Sequence, residues 1–588
     1  MASEAGIEEV QEIIEVSLGR KHADLVISNG TVLNVYTGEY MDNCSVAIKG
    51  KWIAYVGDSP DGNIGSETDV IDAKGKFVLP GFIDAHGHLA DSLYNPYEFL
   101  RHAMVHGITT IVTETIEAYP GGGDQGIIDF LQALEEQPIK IFATVPPMVS
   151  TSRSAHGIPL NSLKKLLERN DVLGLGESYW QGVLQDPETF LPLFREALSR
   201  GGYLEGHSAG ARGRSLMAYL ELGISSCHEP ITADEALERL RFCVHVMARE
   251  GSIRRELADI SRIKDRDVDL RRLMLVTDGV SAVDLMEKGY MKDVVQKAID
   301  LGFDPVKAIQ MVTINPADYF RLDGIIGGIA PGKHADLLIL SDPRKIEPEY
   351  VISMGRILAR EGSLLLQPRK HAFSGPSLNS VRLPRELTPS DFVIPASRNT
   401  SPVKARIIEL ITGLVTRELF LEMPVKDGEL RTDRERDILK VSAIDRRFDP
   451  GKSYTGLVRG FGLKEGAFAS SSAWDTANII VVGENDEDMA RAVNRVHSLR
   501  GGIVFCSGGK ILVEIPLPIF GLMSEMELPE LYKKILELRR VLKEFGCPLE
   551  DPYRTLTTLT GAAIPFLRIC EDGLVDIKEG KIVDLIVH

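Results

Sequence analysis

The middle of this chain alternates short apolar runs with helix-like stretches, and this alternation most restricts the folds open to it. Helix-like segments such as 189–199 and 233–241 separate runs that are typical of strands. The strand-like runs are 109–113, 139–145, 172–177, 203–207, 224–228, 244–249 and 273–278. With the apolar run 78–85, which leads into His86, they make eight. Eight strands that alternate with helices between residues 81 and 320 predict a (β/α)₈ barrel.

The predicted strand ends carry histidines and carboxylates. His86 and His88 follow the first strand, and because side chains alternate along a strand, both should point to the same side. The later strand ends supply Glu177, His207, His228 and Asp278. An HxH pair alone is equally consistent with two histidines that only cap a strand. Since the active site of such a barrel lies at the C-terminal strand ends, the whole set predicts a metal site.

The residue types in this set indicate hydrolytic chemistry. Neutral imidazoles are suitable ligands for Zn, Fe or Mn. Glu177 can bridge two ions through its two oxygens, and Asp278 can contact one ion while accepting a proton from a bound water. A divalent ion lowers the pKa of such a water toward neutrality. We therefore expect Glu177 and Asp278 to be catalytic in the addition of water to an amide or amidine carbon.

The chain divides into several segments around the barrel. Residues 1–20 repeat apolar positions at helical spacing and predict an N-terminal helix. The string Lys21-His-Ala-Asp-Leu-Val-Ile recurs as Lys333-His-Ala-Asp-Leu-Leu-Ile, so 21–80 and 330–365 are expected to form one small β-sandwich domain that flanks a barrel at 81–329. The Pro- and Ser-rich residues 366–399 predict a linker, and 400–588 a C-terminal α/β domain.

Composition and charge restrict the binding partners and the cellular compartment that we expect for this protein. The formal net charge of -17 over 588 residues argues against nucleic acid and against an anionic membrane surface. We expect no membrane span, because no run is long and apolar enough. The six cysteines include no CxxC pair, and the Glu-rich residues 1–20 lack the apolar core of a signal peptide, so a cytoplasmic location is expected. The extra C-terminal domain is consistent with a homo-oligomer.

Several strings resemble the amidohydrolase superfamily and, within it, the bacterial and archaeal adenine deaminases. The barrel segment contributes Pro80-Gly-Phe-Ile-Asp-Ala-His-Gly-His, His106-Gly-Ile-Thr-Thr-Ile-Val and Gly223-Ile-Ser-Ser-Cys-His-Glu. The C-terminal segment contributes Gly460-Phe-Gly-Leu-Lys-Glu-Gly-Ala and Leu517-Pro-Ile-Phe-Gly-Leu-Met-Ser. The resemblance extends from about residue 20 to the end of the chain. Its C-terminal strings are specific, because most amidohydrolases lack this domain.

The resemblance implies a centre with two divalent metal ions, Mn, Fe or Zn. His86 and His88 would hold one ion, His207 and His228 the other, with Glu177 bridging and Asp278 as ligand and proton shuttle. Glu117, Ser92 and Trp474 are expected to contact the substrate, and Asp84 to orient a ligand histidine. The family has polar residues at five positions where this chain differs: Ala90, Ile116, Val280, Trp474 and Ala477.

Three functions are compatible with these features. The first is deamination of adenine to hypoxanthine and ammonia. The second keeps the metal chemistry but opens a ring amide of an oxidised purine or another cyclic amide, since buried pocket groups discriminate strongly between substrates. The third is a non-catalytic metal-binding homologue. In the first two cases the partner is a small purine-like or cyclic amide molecule.

Overall fold

The computed structural model describes residues 6–397 and 401–587, and its centre is a barrel of eight parallel strands. Each strand pairs with its neighbour in the chain. The strands are Phe82–Gly87, Ile108–Thr113, Lys140–Val145, Val172–Tyr179, Tyr203–His207, Ser226–Cys227, His245–Arg249 and Leu273–Val276. The (β/α)₈ barrel predicted from the sequence is therefore confirmed. The sixth strand is the one that differs most, because only two of the five predicted residues are in strand conformation.

Helices cover the outside of the barrel. They are Pro96–Ala103, Ala118–Leu134, Leu160–Leu166, Trp180–Gln185, Pro187–Ser199, Gly213–Leu220, Ala233–Arg241, Leu257–Ile260, Ala282–Glu287, Met291–Asp300, Pro305–Gln310 and Ile314–Tyr319. The helix Ala233–Arg241 begins after Thr232, whose hydroxyl accepts from the backbone N–H of Glu235. Such a cap satisfies a donor that the helix itself leaves free. Apolar side chains from the helices and strands form one core, in which each fully buried Leu or Ile contributes about 1.5–3 kcal/mol.

The buried Asp84 joins the first and last barrel strands. Its carboxylate accepts hydrogen bonds from the Thr277 hydroxyl at 2.6 Å and the Tyr290 hydroxyl at 2.6 Å. Next to it, the backbone N–H of Asp278 donates to the carbonyl of His86 at 3.1 Å. These bonds place the ends of strands one and eight side by side, so that His86 and Asp278 meet at the same edge of the barrel.

Strands from both sides of the barrel segment share one nine-stranded sheet. The sheet contains Leu25–Asn34, Glu39–Lys49, Trp52–Gly57, Asp69–Asp72, Phe77–Pro80, Leu337–Leu340, Tyr350–Ser353, Arg356–Arg360 and Ser363–Leu364. Leu337–Leu340 pairs antiparallel with Phe77–Pro80, which brings the two flanks together. The first helix, Ile7–Ser17, packs on this sheet through Ile13 and Val16.

The C-terminal part contains a second nine-stranded sheet with helices packed against it. Its strands are Val403–Leu410, Thr416–Met423, Ile438–Asp445, Ser453–Arg459, Ala467–Ser470, Asn478–Gly483, Gly502–Ser507, Lys510–Pro516 and Ile586–Val587. Its helices are Asp486–Ser498, Leu528–Glu544 and Pro552–Thr558. Two three-stranded sheets complete it: Ile394–Pro395, Val425–Lys426 and Glu429–Leu430 form one, and Leu567–Cys570, Gly573–Asp576 and Lys581–Val583 the other.

The described part of the predicted linker, 366–397, is packed rather than free. The hydroxyl of Ser377 and the ring of His371 bind Asp129 on a barrel helix. Phe392 is 1% exposed, and Ile394 is in a strand that pairs with Glu429–Leu430. Within the described residues, no helix is both long enough and apolar enough to cross a membrane. Residues 1–5 of the predicted N-terminal helix, 398–400 and 588 lie outside the described ranges.

Candidate metal centre

The HxH pair and two carboxylates converge at the end of the first barrel strand. Nε2 of His86 is 3.4 Å from Oε1 of Glu177 and 3.3 Å from Oδ1 of Asp278. Nε2 of His88 is 3.3 Å from each of the same two oxygens. All four residues are buried, and their ligand atoms lie within 4.8 Å of one another. The alternation along the strand therefore brings both imidazoles to one point, as the sequence predicts.

Glu177 also belongs to a second group of ligands. Its Oε1 is 3.0 Å from Nε2 of His228, and its Oε2 is 3.5 Å from Nδ1 of His207. The fifth barrel strand ends at His207, and His228 directly follows the sixth strand, Ser226–Cys227. Glu177 thus stands between two clusters, His86–His88–Asp278 on one side and His207–His228 on the other. A carboxylate with one ligand set on each side has the arrangement needed to bridge two ions.

The donor set fits divalent metal ions. Nε2 of His86 and Nε2 of His88 are buried without a hydrogen-bond partner, and both face carboxylate oxygens. A buried polar atom that lacks a partner costs about 1–3 kcal/mol. Imidazole nitrogens and carboxylate oxygens together suit Zn, Fe or Mn. An ion at each cluster would satisfy these nitrogens and compensate the buried negative charge.

A carboxylate lies behind each imidazole of the HxH pair. Oε2 of Glu205 is 3.0 Å from Nδ1 of His86, and Oε1 of Glu117 is 2.6 Å from Nδ1 of His88. Such contacts fix the tautomer and leave Nε2 free to bind a metal ion. Asp84 contacts neither imidazole of the pair; it accepts from the backbone N–H of His86 at 3.3 Å and from the hydroxyls of Thr277 and Tyr290.

Glu114 completes a buried acidic layer beneath His86. Its Oε1 accepts the backbone N–H of Glu177 at 3.1 Å. A Cβ on Gly176 would lie 2.0 Å from Oε2 of Glu114, so glycine is required before Glu177 for this close approach. Burial, and then the negative charge of Glu205, raises the pKa of Glu114 to about 8. The raised pKa favours the neutral form of this carboxyl, which limits the negative charge under the ligands.

Arg249, at the end of the seventh strand, holds the other oxygen of Asp278. Its Nη1 donates to Oδ2 of Asp278 at 3.0 Å, and its guanidinium also binds Glu229 and Glu256. Burial alone would raise the pKa of Asp278, but Arg249 and the neighbouring histidines hold it well below its ordinary value. Asp278 is thus kept ionised with Oδ1 turned toward His86 and His88.

A cavity of about 310 Å³ opens above the centre, between the barrel and the C-terminal part. The barrel contributes ligand residues, Asp91, Glu117 and Tyr179 to its wall, and the C-terminal part contributes Leu414, Trp474, Asp475 and Ile564. Burial, and then the charge of neighbouring carboxylates, raises the pKa of Asp475 to about 7. Besides Glu177 and Asp278, the wall combines apolar surface with five carboxyl residues and three arginines: Asp91, Glu117, Glu229, Glu235, Asp475, Arg212, Arg249 and Arg254.

Of the residues expected to contact substrate, the structure places some in the cavity wall and others outside it. Glu117 and Trp474 line the cavity, and the Trp474 indole N–H donates to Oδ1 of Asp91 at 3.2 Å. Ser92 is outside the cavity lining, and its hydroxyl donates to the carbonyl of His88 at 3.1 Å. Of the five positions where the family has polar residues and this chain differs, Ile116 and Trp474 line the cavity. Ala90, Val280 and Ala477 are buried outside its lining.

Sequence reasoning missed several residues of the site. They are Glu114, Glu205, Tyr179, Arg249 and Asp475. Glu205 precedes His207 by two residues on a strand, and this spacing alone places both on one side of the strand. Arg249 is the last residue of its strand, where barrel active sites lie. For Asp475, the sequence contains no comparable signal, because another part of the chain carries it to the barrel.

The fold and the ligand set define a hydrolase of the amidohydrolase class. The profile of the amidohydrolase family matches residues 77–358, and that of the adenine deaminase C-terminal domain matches 413–581. The adenine deaminase of Moorella thermoacetica is 37% identical over 98% of each chain. That of Staphylothermus marinus is 36% identical over 99% of this chain and 98% of its own. The chain belongs to the adenine deaminase family, whose members are hydrolases of C–N bonds.

Proposed function

We propose that this enzyme hydrolyses the exocyclic C–N bond of adenine, giving hypoxanthine and ammonia. The observation that carries this proposal is the convergence of six ligand residues, of which His88, Glu177, His207 and Asp278 line a cavity sized for a small molecule. The named activity of its full-length relatives supports adenine as the substrate. A purine base can enter this cavity of about 310 Å³ with its reacting carbon toward the ligands.

The centre would hold two divalent ions. His86, His88 and Asp278 would bind one ion, His207 and His228 the other, and Glu177 would bridge them. When bound, such ions supply an activated water near neutral pH and polarise the carbon under attack. The chain's own contribution is to fix the ligands, through Glu205 and Glu117 behind the HxH pair and Arg249 behind Asp278.

Asp278 is the residue that would move the proton. With Oδ2 held by Arg249, only Oδ1 is directed toward the ligand cluster. Oδ1 would accept a proton from the attacking water and deliver it to the amino group, which leaves as ammonia. Transfer by a positioned side chain contributes about 10²–10⁴-fold to the rate. Trp474 would cover one side of the ring, and the second oxygen of Glu117, which is buried without a partner, would accept an N–H.

The polar groups of the cavity wall suit an amino-heterocycle. Asp91, Glu117 and Asp475 present acceptors for the N–H donors of adenine. The Trp474 indole N–H and the Tyr179 hydroxyl are already donated to Asp91 and Asp475. An oxidised purine also carries ring N–H donors, and Arg212, Arg249 and Arg254 line the same cavity, so the wall accommodates both kinds of ring. The named activity of the full-length relatives is what favours deamination over ring opening.

Ammonia release from adenine tests the proposal. Protein loaded with Mn or Fe is expected to release ammonia from adenine, to give a product with the mass of hypoxanthine, and to contain two ions per chain by elemental analysis. Asp278→Asn should lower kcat by about 10²–10⁴-fold, since it removes the proton acceptor. Metal-loaded wild type that yields no ammonia from adenine, while an oxidised purine gains one water, would establish the ring-opening reaction instead.

We also propose a cytoplasmic location for this enzyme. A small heterocycle as substrate, the net charge of -17 and the absence of a CxxC pair support a cytoplasmic enzyme without nucleic-acid or membrane partners. We also propose a homo-oligomer, and light scattering of the metal-loaded protein would give its mass. A mass of one chain at micromolar concentration would contradict this proposal.

A further inference from the structure

We propose that Asp475 determines specificity for free bases by accepting the ring N–H of the five-membered ring of the substrate. The inference rests on the proposed deamination and adds to it the group that separates a free base from a base substituted on that ring. It assigns a function to the C-terminal part of the chain, which supplies Asp475 and none of the six ligand residues.

The surroundings of Asp475 hold its carboxylate in one orientation at the cavity wall. Oδ1 accepts the Tyr179 hydroxyl at 2.9 Å, and Oδ2 accepts the backbone N–H of Ala562 at 2.7 Å. The side chain is buried, and Asp475 is one of the residues that line the cavity. A carboxylate has about four acceptor positions, so these two bonds leave capacity on each oxygen for a donor from the cavity.

Tyr179 relates the position of Asp475 to the metal ligands. Its ring packs edge-on against the ring of His207, with centroids 4.8 Å apart, and its hydroxyl reaches Asp475. The same tyrosine side chain therefore contacts His207 with its ring and Asp475 with its hydroxyl. A purine is similar in length to this side chain. With its amino-bearing carbon at the ligands, its five-membered ring would extend toward Asp475.

The chemistry of the purine explains what this contact would recognise. A free base carries one N–H on its five-membered ring, whereas an N9-substituted base such as a nucleoside has lost it. A site built to bind an N–H rejects an analogue that lacks it, because the buried acceptor is left unpaired. Asp475 would thus select amino-heterocycles with a ring N–H and exclude N9-substituted ones.

The test compares adenine with 9-methyladenine in wild type and in Asp475→Asn. Wild type should favour adenine by at least about 10²-fold in kcat/KM. In Asp475→Asn this preference should fall at least tenfold, mainly through a higher KM for adenine. Asp427→Asn, which changes an exposed carboxylate of the same part of the chain, should leave the preference unchanged. An unaltered preference in Asp475→Asn with wild-type metal content would overturn the proposal.

Two further measurements keep the test decisive. If Asp475→Asn does not fold, Tyr179→Phe removes the hydroxyl that orients the carboxylate and should raise KM for adenine several-fold, whereas an unchanged KM would contradict the proposal. If wild type releases no ammonia from adenine, the deamination fails, and calorimetry then tests the selection of free bases without turnover. Adenine should bind to wild type at least tenfold more tightly than 9-methyladenine, and equal affinities would overturn the inference.

Discussion

At the level of single residues, the carboxylate behind a ligand matters as much as the ligand itself. Glu205 is 1% exposed and accepts Nδ1–H of His86, which turns Nε2 toward the metal position. Glu205→Leu removes this acceptor, and we expect the affinity for Mn to fall about 10–100-fold. Glu205→Gln keeps an acceptor oxygen, so its affinity for Mn should fall less. Titration of the metal-free protein with Mn measures this, and wild-type affinity in Glu205→Leu would contradict the role.

The exposed Glu221 provides the control for this change. Glu221→Leu removes a carboxylate that lies on the protein surface, away from the ligand clusters. Its affinity for Mn should match that of wild type. An equal loss in both variants would mean that the total charge of the protein, rather than the contact with His86, controls the affinity.

Asp475 should also make stability depend on pH. Burial raises the pKa of its carboxyl to about 7 in the folded protein, whereas the ordinary value is 3.8. The folded state therefore holds this proton more tightly than the unfolded state, so the contribution to stability is present below pH 4 and is lost as the pH rises through 7. Asp475→Asn removes this contribution to the pH dependence of stability, because the amide does not titrate. Relative to wild type, this variant should gain in thermal stability between pH 5 and pH 8, and parallel curves would contradict the assignment.

At the level of elements, one buried ion pair links the third barrel strand to the sheet formed by the two flanks. Nζ of Lys140 is 2.7 Å from Oδ1 of Asp336, which also accepts the backbone N–H of Met354. Burial lowers the pKa of Lys140, so its charge depends on Asp336. Lys140→Met leaves the carboxylate buried and unpaired, and the free energy of unfolding should fall by about 3–5 kcal/mol.

Denaturant unfolding measures this loss, and a surface pair gives the comparison. Lys345 and Glu347 are 68% and 64% exposed, so Lys345→Met should change stability by no more than about 1 kcal/mol. If Lys140→Met were as stable as Lys345→Met, the contact between the strand and the sheet would not depend on this pair.

The elements themselves were predictable from the sequence to the extent that their signals are local. Apolar runs and alternation identify the barrel strands, and the strand ends identify His86, His88, Glu177 and Asp278. Contacts between distant segments have no local signal. Glu205 lies 119 residues from His86 in the chain, and Asp475 lies 296 residues from Tyr179. Composition does not predict burial either. The Pro- and Ser-rich residues 366–397 contain buried side chains such as Phe392.

At the level of the whole molecule, the cavity exists only where the barrel and the C-terminal part meet. One continuous apolar core extends from the barrel into the second large sheet. Polar contacts reinforce it: the Ser150 hydroxyl donates to the carbonyl of Asp475 at 2.6 Å, and the Thr151 hydroxyl to that of Thr560 at 2.7 Å. Movement between the two parts would displace Trp474 and Asp475 from the ligands. The shared core and these hydrogen bonds therefore hold the two walls of the cavity together.

The shared core and these contacts predict that the barrel and the C-terminal part unfold together. Glu571 is buried at their contact, where it accepts the hydroxyls of Ser152 and Ser154 and the amide of Asn478. Glu571→Leu removes the acceptor of the buried Asn478 amide and of the buried Ser152 hydroxyl, and we expect a loss of about 1–3 kcal/mol for a buried donor left without a partner. Calorimetry should show one transition in wild type and one transition at lower temperature in Glu571→Leu. A separate early transition in wild type would mean that the C-terminal part unfolds independently, and the cavity wall would then be adjustable rather than fixed.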